Sequence, residues 1–163
     1  MSNTAKLLMR SLGWEDADAL LTFYNGLSPA SIRTFRPLGD QTSLPVCQAI
    51  VADQWIDHGS RFDVVAWHGT TMVGWAFLFR LDGDKPELGL GVADAFQGQG
   101  VGGALLDHVL DWARQQAMPK VYLIVVTDNH RAIKLYQSRG FVVYDEQFDE
   151  KDQLTYLHMV ASL

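Results

Sequence analysis

The chain has 163 residues, of which 48% are hydrophobic and 20% charged, and its 13 Lys and Arg against 19 Asp and Glu give a formal net charge of −6. This composition is typical of a folded globular protein and excludes an intrinsically disordered chain. The length predicts one domain, residues 1–163. The acidic balance disfavours proteins that bind nucleic acid or anionic membranes, because both need a basic face.

Signals for targeting and for cysteine chemistry are sparse. No apolar run approaches the ~20 residues of a membrane span. Residues Met1 to Arg10 lack the basic segment and apolar stretch of a secretory signal. The single cysteine, Cys47, excludes an intramolecular disulfide and a cysteine-based zinc cluster. We therefore expect a cytoplasmic protein.

The first sixty residues predict one strand and two helices. From their apolar spacing these are a strand over Ala5 to Arg10 and helices over Gly13 to Asn25 and Pro45 to His58. In the second helix we expect Val46, Ala49, Ile50 and Ile56 to face inward. Residues Ser28 to Asp40 contain two prolines and two arginines and are predicted to form an ordered loop.

After residue 60, short β-branched and aromatic runs alternate with helical spacing. The predicted elements are strands Phe62 to Trp67, Met72 to Phe79 and Glu87 to Val92, helix Gly100 to Gln116, strand Val121 to Val126, helix Asn129 to Arg139, and strands Phe141 to Phe148 and Leu154 to Val160. The continuous apolar run Val121 to Val126 indicates a strand buried on both faces.

The predicted order is therefore β-α-α-β-β-β-α-β-α-β-β. The strand–helix–strand unit from Glu87 to Val126 should form a right-handed parallel crossover, whereas the strands joined by short turns should pair antiparallel. We predict an α/β fold with a mixed, mostly antiparallel seven-stranded sheet and about four helices.

A glycine-rich stretch follows the strand Glu87 to Val92. Four of the six residues from Gly98 to Gly103 are glycine, and they open a helix. Glycine lets a backbone approach a ligand closely. The first amides of a helix lack internal partners and carry the positive end of its dipole. Together these features predict a cradle for a pyrophosphate. The alternative is that the glycines only shape a tight turn.

The same residues match the dinucleotide-binding pattern G-x-G-x-x-G, with Asp128 after the next strand as a candidate ribose-binding acid. A dinucleotide-binding domain begins with this unit and repeats it, whereas here predicted antiparallel strands come first. A P-loop is excluded because no Gly-Lys-Ser/Thr follows the glycines. A dinucleotide-dependent oxidoreductase is therefore a lower-ranked alternative to the two functions described next.

Two motifs resemble a known family. Residues 97–102, Gln-Gly-Gln-Gly-Val-Gly, resemble the Q/R-x-x-G-x-G/A loop of the GNAT superfamily, the Gcn5-related N-acetyltransferases. Residues 129–141 resemble its second signature, N-x-x-A-x-x-L-Y-x-x-x-G-F. The resemblance implies an acyltransferase that moves an acetyl group from acetyl-CoA to a primary amine of a small molecule or peptide, by direct attack in a ternary complex. The alternative is a non-catalytic acyl-CoA sensor of the same fold.

The resemblance also implies where acetyl-CoA binds. Main-chain amides of the glycine loop would hold the pyrophosphate, and the preceding strand would run beside the pantetheine, with a bulge freeing an amide for the thioester carbonyl. Another contact would come from the start of the next helix. The residues implied are Leu90, Gly91, Val92, Gln97, Gly98, Gln99, Gly100, Val101, Gly102, Gly103 and Asn129.

An alkyl amine with a pKa of about 10.4 is protonated at neutral pH and cannot attack a thioester. The reaction therefore needs a base for the ammonium and an acid for the departing thiolate. By its position in the second signature, Tyr136 is the implied acid; the alternative is an aromatic packing residue. Glu87 is the implied base, since several family members carry a glutamate at this strand; the alternative is a solvated charge.

The histidines, the arginines near residue 35 and the tryptophans support further expectations. The five histidines show no metal-ligand spacing, so we expect no metal. The stretch from Leu27 to Arg36 resembles a segment of some acetyltransferases and predicts a lid over the acceptor site, with Arg33 or Arg36 pairing with an acceptor carboxylate. Trp55, Trp67 and Trp75 could line a pocket or pack in the core. Homodimerisation through the edges of the last strands is left open.

Overall fold

The computed structural model describes residues 6–56 and 59–163. Its strands and helices are β1 (Leu7–Ser11), α1 (Ala17–Asn25), α2 (Pro29–Thr34), α3 (Leu44–Trp55), β2 (Arg61–His68), β3 (Thr71–Phe79), β4 (Glu87–Val92), a 3₁₀ turn (Asp94–Phe96), α4 (Val101–Gln115), β5 (Lys120–Val126), α5 (His130–Ser138), β6 (Val142–Asp149) and β7 (Leu154–Ser162). No helix in the described part of the chain is long and apolar enough to cross a membrane.

The strands form one seven-stranded sheet in the order β1-β2-β3-β4-β5-β7-β6. All neighbouring strands pair antiparallel except β4 and β5, which are parallel and are joined through α4. The predicted mixed sheet and its parallel crossover are therefore confirmed. A doubly wound parallel sheet, which a dinucleotide-binding domain requires, is excluded.

The central parallel pair is open along most of its length. β4 and β5 share a single register position, Glu87 opposite Tyr122, and then diverge. The antiparallel pairs on either side, β3 with β4 and β5 with β7, continue along nearly the whole strand. The sheet therefore carries a cleft at its centre, directly beside the glycine-rich loop.

A separate hydrophobic core packs on each face of the sheet. On one face α4 and α5 cover a core that includes Leu105, Leu123 and Met159. On the other face α1, α2 and α3 cover a core that includes Tyr24 and Trp75. Each inward residue belongs to one face because successive side chains of a strand alternate.

Three predictions about local structure are wrong. Residues 28–40 contain α2, whose first turn is capped by the Ser28 side chain, which accepts from the Ser31 amide at 3.2 Å. Six residues are too short to show helical periodicity. Helix α3 buries Ile50 as predicted, together with Cys47 and Val51, because that side faces α1 and β2. The other residues predicted to face inward are exposed: Val46 at 42%, Ala49, and Ile56 at 59% just after the helix. The predicted end of α3 at His58 and the predicted start of β1 at Ala5 lie outside the described residues.

The third error concerns β5, predicted to be buried on both faces. One face is buried, but on the other Ile124 is 45% exposed. It lines the cleft between β4 and β5. An apolar side chain left open beside that cleft marks a surface available to a ligand.

Candidate active site

The backbone amides of β4 alternate between the ladder with β3 and the central cleft. Just after β4, the Ala93 amide donates to the Val73 carbonyl of β3 at 2.8 Å. By strand alternation the amides of Leu90 and Val92 then point away from β3, toward the side where β5 has diverged. Two hydrogen-bond donors are thus presented to the cleft from consecutive outward positions of one strand.

No bulge produces these free amides. The pairing of β3 with β4 runs in continuous register from Gly74 opposite Val92 to Phe79 opposite Glu87. The bulge expected from the family resemblance is therefore absent from this ladder. Divergence of the parallel strands releases the amides instead.

The glycine-rich loop turns the chain from β4 into α4. Gly98 and Gly100 have φ values of +73° and +87°, a left-handed conformation that side chains with a Cβ rarely adopt. Helix α4 begins at Val101 and no side chain caps its first turn. Its first amides, lacking internal partners, are therefore available to an anion at the mouth of the cleft.

We call the space between this loop and the diverging strands the loop cavity; it has a volume of about 450 Å³. Most of the residues that the resemblance implied for the cofactor line it, together with Tyr136. They are Leu90, Gly91, Val92, Gln97, Gly98, Gly100, Gly102, Gly103 and Asn129. The structure thus gathers into one cavity residues that are up to 46 positions apart, Leu90 and Tyr136.

Two of the residues that the resemblance implied for the cofactor do not line the loop cavity. Val101 is buried in the core. The Gln99 side chain donates to the Ala95 carbonyl at 3.0 Å and so stabilises the turn. Asn129 lines the loop cavity but its Oδ1 also accepts from the Ala132 amide at 3.3 Å, which makes it the cap of α5.

The loop cavity fits a diphosphate-bearing ligand. A Cβ added to Gly100 would meet nothing within 4 Å, so the backbone there is open to a bound group. The guanidinium of Arg131, on α5, lies beside Gly98, since a Cβ at Gly98 would be 3.6 Å from its Nη1. Uncapped amides with an adjacent guanidinium are the donors that a diphosphate requires.

Tyr136 lies at the inner wall of the loop cavity. Its side chain is 6% exposed and packs edge-on against Phe141, with ring centroids 5.8 Å apart. Burial raises the pKa of the Tyr136 phenol, so the hydroxyl stays protonated at neutral pH and is a weaker acid than a phenol in water. Both interpretations of this residue, packing and acid, are compatible with this position.

A second space, the aromatic cavity, adjoins the first and has a volume of about 270 Å³. The two cavities share five lining residues: Thr34, Phe35, Leu88, Gly89 and Ile124. Glu87 lines the aromatic cavity only, whereas Tyr136 lines the loop cavity only. The two candidate catalytic residues thus lie on opposite sides of the junction between the cavities.

The Glu87 carboxylate is shielded from water, its side chain being 22% exposed. Burial raises the pKa of the Glu87 carboxyl, although Arg80, 3.5 Å away, and His158 oppose the shift. A raised carboxylate pKa improves its match to the proton of an ammonium group. Such a carboxylate in a cleft is a candidate general base.

Helix α2 closes over the junction of the cavities. Asp94, in the turn after β4, accepts hydrogen bonds from the Ser28 amide at 3.1 Å and from the Ser31 hydroxyl at 3.1 Å. The Gln97 side chain donates both to Ser31 and to the Val92 carbonyl, at 2.9 and 3.0 Å. The predicted lid therefore lies over the cavities, as a helix tied to the strand that it covers.

The end of the lid is packed by aromatic contact. Phe35 lies directly on β4, because a Cβ at Gly91 would fall 2.3 Å from its ring. Phe77 approaches Gly89 in the same way, at 2.2 Å. The glycines of β4 therefore accommodate aromatic rings of the chain itself.

Neither arginine of the lid is free for an acceptor carboxylate. Arg33 makes a bidentate pair with Asp128, at 2.9 and 2.8 Å. Arg36 pairs with Asp40 at 3.1 Å and with Asp152 at 3.5 Å. The expectation that one of them binds such a carboxylate is not supported.

The three tryptophans have different roles. Trp75 is fully buried and lines the aromatic cavity, whereas Trp67 packs against the α1–α3 core. Trp55 lies outside both cavities and stacks on Trp14, with centroids 6.3 Å apart.

Sequence reasoning missed the wall of the aromatic cavity. Its side chains come from the lid, β3 and β7, and in the sequence each of them is typical of a residue packed in the hydrophobic core. They are Phe35, Phe77, Phe79 and Tyr156. The one usable signal was the row Trp75, Phe77 and Phe79, which strand alternation places on one face. Among the described residues, no group of three or more His, Cys, Asp or Glu is arranged to hold a metal ion.

Comparison with known proteins agrees with this geometry. The model of the acetyltransferase (GNAT) family matches residues 25–141. N-alpha-acetyltransferase RimI of Mycobacterium tuberculosis is 45% identical over 82 residues, 48% of this chain and 50% of that protein. Mycothiol acetyltransferase of Renibacterium salmoninarum is 29% identical over 115 residues, 67% of this chain and 34% of that protein. The chain thus matches half, or only a third, of the length of these relatives.

Among solved structures, the yncA protein of Salmonella typhimurium with its cofactor acetyl-CoA superposes with a TM-score of 0.80. The match covers 97% of this chain and 94% of that one at 21% identity, so it shows the fold alone. The family model spans more than half of the chain and includes the glycine loop and the helix that bears Tyr136. The protein therefore belongs to the GNAT family of acetyltransferases.

Proposed function

We propose that the protein is an acetyl-CoA-dependent N-acetyltransferase that acetylates a primary amine of a small molecule or peptide. The observation that carries this proposal is the meeting of the two cavities at Gly89 and Ile124, with Tyr136 on one side and Glu87 on the other. A donor in one cavity and an acceptor in the other would meet at that junction.

The loop cavity supplies the groups that acetyl-CoA needs. The amides from Gly98 to Gly103, with Arg131, would hold its diphosphate, and the cleft amides of Leu90 and Val92 would face its pantetheine arm and thioester carbonyl. When bound there, acetyl-CoA supplies an activated acetyl group. The yncA structure, which holds acetyl-CoA in the same fold, supports this assignment.

The acceptor amine must lose a proton before it can attack. At pH 7 this costs about 4.6 kcal/mol, since 3.4 pKa units separate the amine from the solution at ~1.36 kcal/mol each. Glu87 would take that proton, directly or through a water molecule, because it is the carboxylate on the acceptor side of the junction. Tyr136, kept protonated by burial, would donate to the leaving sulfur.

Direct transfer without a covalent enzyme intermediate is supported by the position of Cys47. This residue is the only cysteine in the chain. It is fully buried in the core under α1 and α3 and lines neither cavity. The names of the relatives, for N-alpha-acetyl transfer and for mycothiol acetyl transfer, are compatible with an amine acceptor.

The test combines binding with turnover. Acetyl-CoA binding is measured by calorimetry, and thiol release is followed with a panel of small amines and short peptides. We expect acetyl-CoA to bind and at least one amine to release thiol well above the rate without protein. Binding with no turnover of any amine would identify an acyl-CoA sensor, and no binding would reject the proposal altogether.

A further inference from the structure

The aromatic cavity specifies the acceptor more narrowly than the fold does. Resting on the proposed function, we infer that the acceptor is a primary amine carried on an apolar, aromatic-sized body that bears no carboxylate. The inference depends on three properties of the cavity: the chemistry of its wall, its volume and the pairing of its charges.

The wall is aromatic, and part of it is open to a ligand. Phe35 and Phe79 are partly exposed, whereas Trp75 and Phe77 are buried and pack against them, with ring centroids 4.5 Å apart. Phe35 meets Trp75 edge-on at 5.9 Å, and Phe79 lies 5.8 Å from Phe77. Tyr156 of β7 and Ile124 of β5 complete the enclosure. Such a surface gains most from burying an apolar or aromatic group, and aromatic faces also tolerate an ammonium.

The volume selects a small body. At about 270 Å³ the cavity lies just below the range of roughly 300–1,000 Å³ that is usual for pockets of drug-sized ligands. A single aromatic ring on a short chain fits this space. Its amine would then reach the junction at Gly89, beside Glu87.

No cation of the wall is left to receive an anionic acceptor. Arg61 donates through Nε and Nη2 to the two oxygens of Asp63, both at 2.8 Å. Burial raises the pKa of Asp63 even though Arg61 opposes the shift, and the bidentate contact engages Nε and Nη2 of Arg61. Arg36 is held by Asp40 and Asp152. Among the described residues lining the cavity, both arginines are therefore already engaged by carboxyl groups of the chain, and a buried acceptor carboxylate would have no free partner.

The cavity also offers few carboxylates to an acceptor with several positive charges. Within residues 6–56 and 59–163, Glu87 is the one carboxylate that lines the cavity. Asp152, behind the wall, is already engaged by Arg36 and accepts from the Tyr156 hydroxyl at 2.9 Å. A polyamine, which needs several carboxylates along its length, is therefore a poor match, and a monoamine is the better one.

The experiment compares amines that differ by one group, with acetyl-CoA saturating and thiol release measured. 2-Phenylethylamine should exceed n-butylamine in kcat/KM by about 10- to 100-fold, because only the former buries a ring. 2-Phenylethylamine should also exceed phenylalanine by about 100-fold, because only the latter buries an unpaired carboxylate. Spermidine and a short peptide complete the panel.

The outcomes separate the two proposals. Faster turnover of phenylalanine, spermidine or the peptide than of 2-phenylethylamine would overturn the acceptor class while upholding the acetyltransferase. No thiol release with any amine would overturn the acetyltransferase, and the acceptor class with it.

Two variants give an independent readout. Phe79→Ala should raise the KM for 2-phenylethylamine about 10-fold without changing the KM for acetyl-CoA. Phe148→Ala is the matched control, because this phenylalanine on β6 is 58% exposed and lines neither cavity. Asp152→Asn should partly free Arg36 and raise the turnover of phenylalanine relative to 2-phenylethylamine about 10-fold. A merely structural role of Asp152 would leave that ratio unchanged, which would contradict the charge pairing inferred here.

Discussion

The loop cavity and the aromatic cavity are built from different parts of the polypeptide. The loop cavity presents main-chain groups: amides of β4, of the glycine loop and of the first turn of α4. The aromatic cavity presents side chains that converge from the lid and from five strands. A backbone site can hold the same ligand in many relatives, because it does not depend on which side chains surround it. A side-chain site changes with each substitution and so sets the acceptor.

The largest effect is expected at Tyr136, a side chain of the loop cavity to which we assign a catalytic role. Tyr136→Phe should lower kcat by roughly 10²- to 10⁴-fold, because the phenol is the proposed acid for the leaving sulfur. Acetyl-CoA affinity, measured by calorimetry, should be unchanged. Tyr144→Phe is the matched control, since this tyrosine on β6 lines neither cavity. A near-normal rate in Tyr136→Phe would show that the residue packs against its neighbours and does not act as the acid.

Glu87 tests the acceptor side of the junction. Glu87→Gln should lower kcat/KM by roughly 10²-fold, because the amine then loses its proton to bulk water. The base works only when ionised, so the rate of the unmodified enzyme should fall as the pH drops through the Glu87 pKa, which burial raises above the ordinary glutamate value.

The pH profile of Glu87→Gln should lack the break at the Glu87 pKa and should follow the unprotonated fraction of the amine alone. Glu146→Gln, on the exposed strand β6, should keep the break. A break that survives in Glu87→Gln would assign the base to another group.

The backbone character of the loop cavity is tested by a pair of glycines with the same conformation. Gly100 and Gly140 have φ values of +87° and +89°, and a Cβ at either would meet nothing within 4 Å. Alanine at each site should cost a similar ~1–2 kcal/mol of folding stability. Only Gly100→Ala should also weaken acetyl-CoA binding, by about 10-fold or ~1.4 kcal/mol. Equal affinities in thermal-shift and calorimetric titrations would show that the loop does not hold the ligand.

The smallest effect is expected where the lid meets the loop. Asp94→Asn should weaken the contacts to Ser28 and Ser31 and raise the acceptor KM roughly 2- to 5-fold. Hydrogen bonds from Ser28 lower the pKa of Asp94, so the contact is present at neutral pH and is lost only as the pH falls through that lowered pKa. Asp82→Asn, in the exposed turn between β3 and β4, is the control. A change confined to kcat would contradict this role of the lid.

The sequence predicted the loop cavity better than the aromatic cavity for a physical reason. Glycines between a strand and a helix report a backbone requirement directly, so Gly98 and Gly100 could be identified without the fold. The source of the free amides on β4 could not, because divergence of β4 from β5 is a property of the whole sheet.

The aromatic cavity depends on contacts between distant positions. Phe35 and Tyr156 are 121 residues apart and line the same space. Helix α2 escaped prediction because its six residues depend on the cap at Ser28 and on contacts with Asp94. The charges that neutralise Arg33 and Arg36, at Asp128 and Asp152, likewise became evident only once the strands were in place.

The most direct test of the central claim is a crystal structure of the protein with CoA. We expect the diphosphate within hydrogen-bond distance of the amides between Gly98 and Gly103, and the thiol at the junction of the two cavities beside the Tyr136 hydroxyl. CoA bound outside the cleft between β4 and β5, or a thiol directed away from Tyr136, would contradict the account.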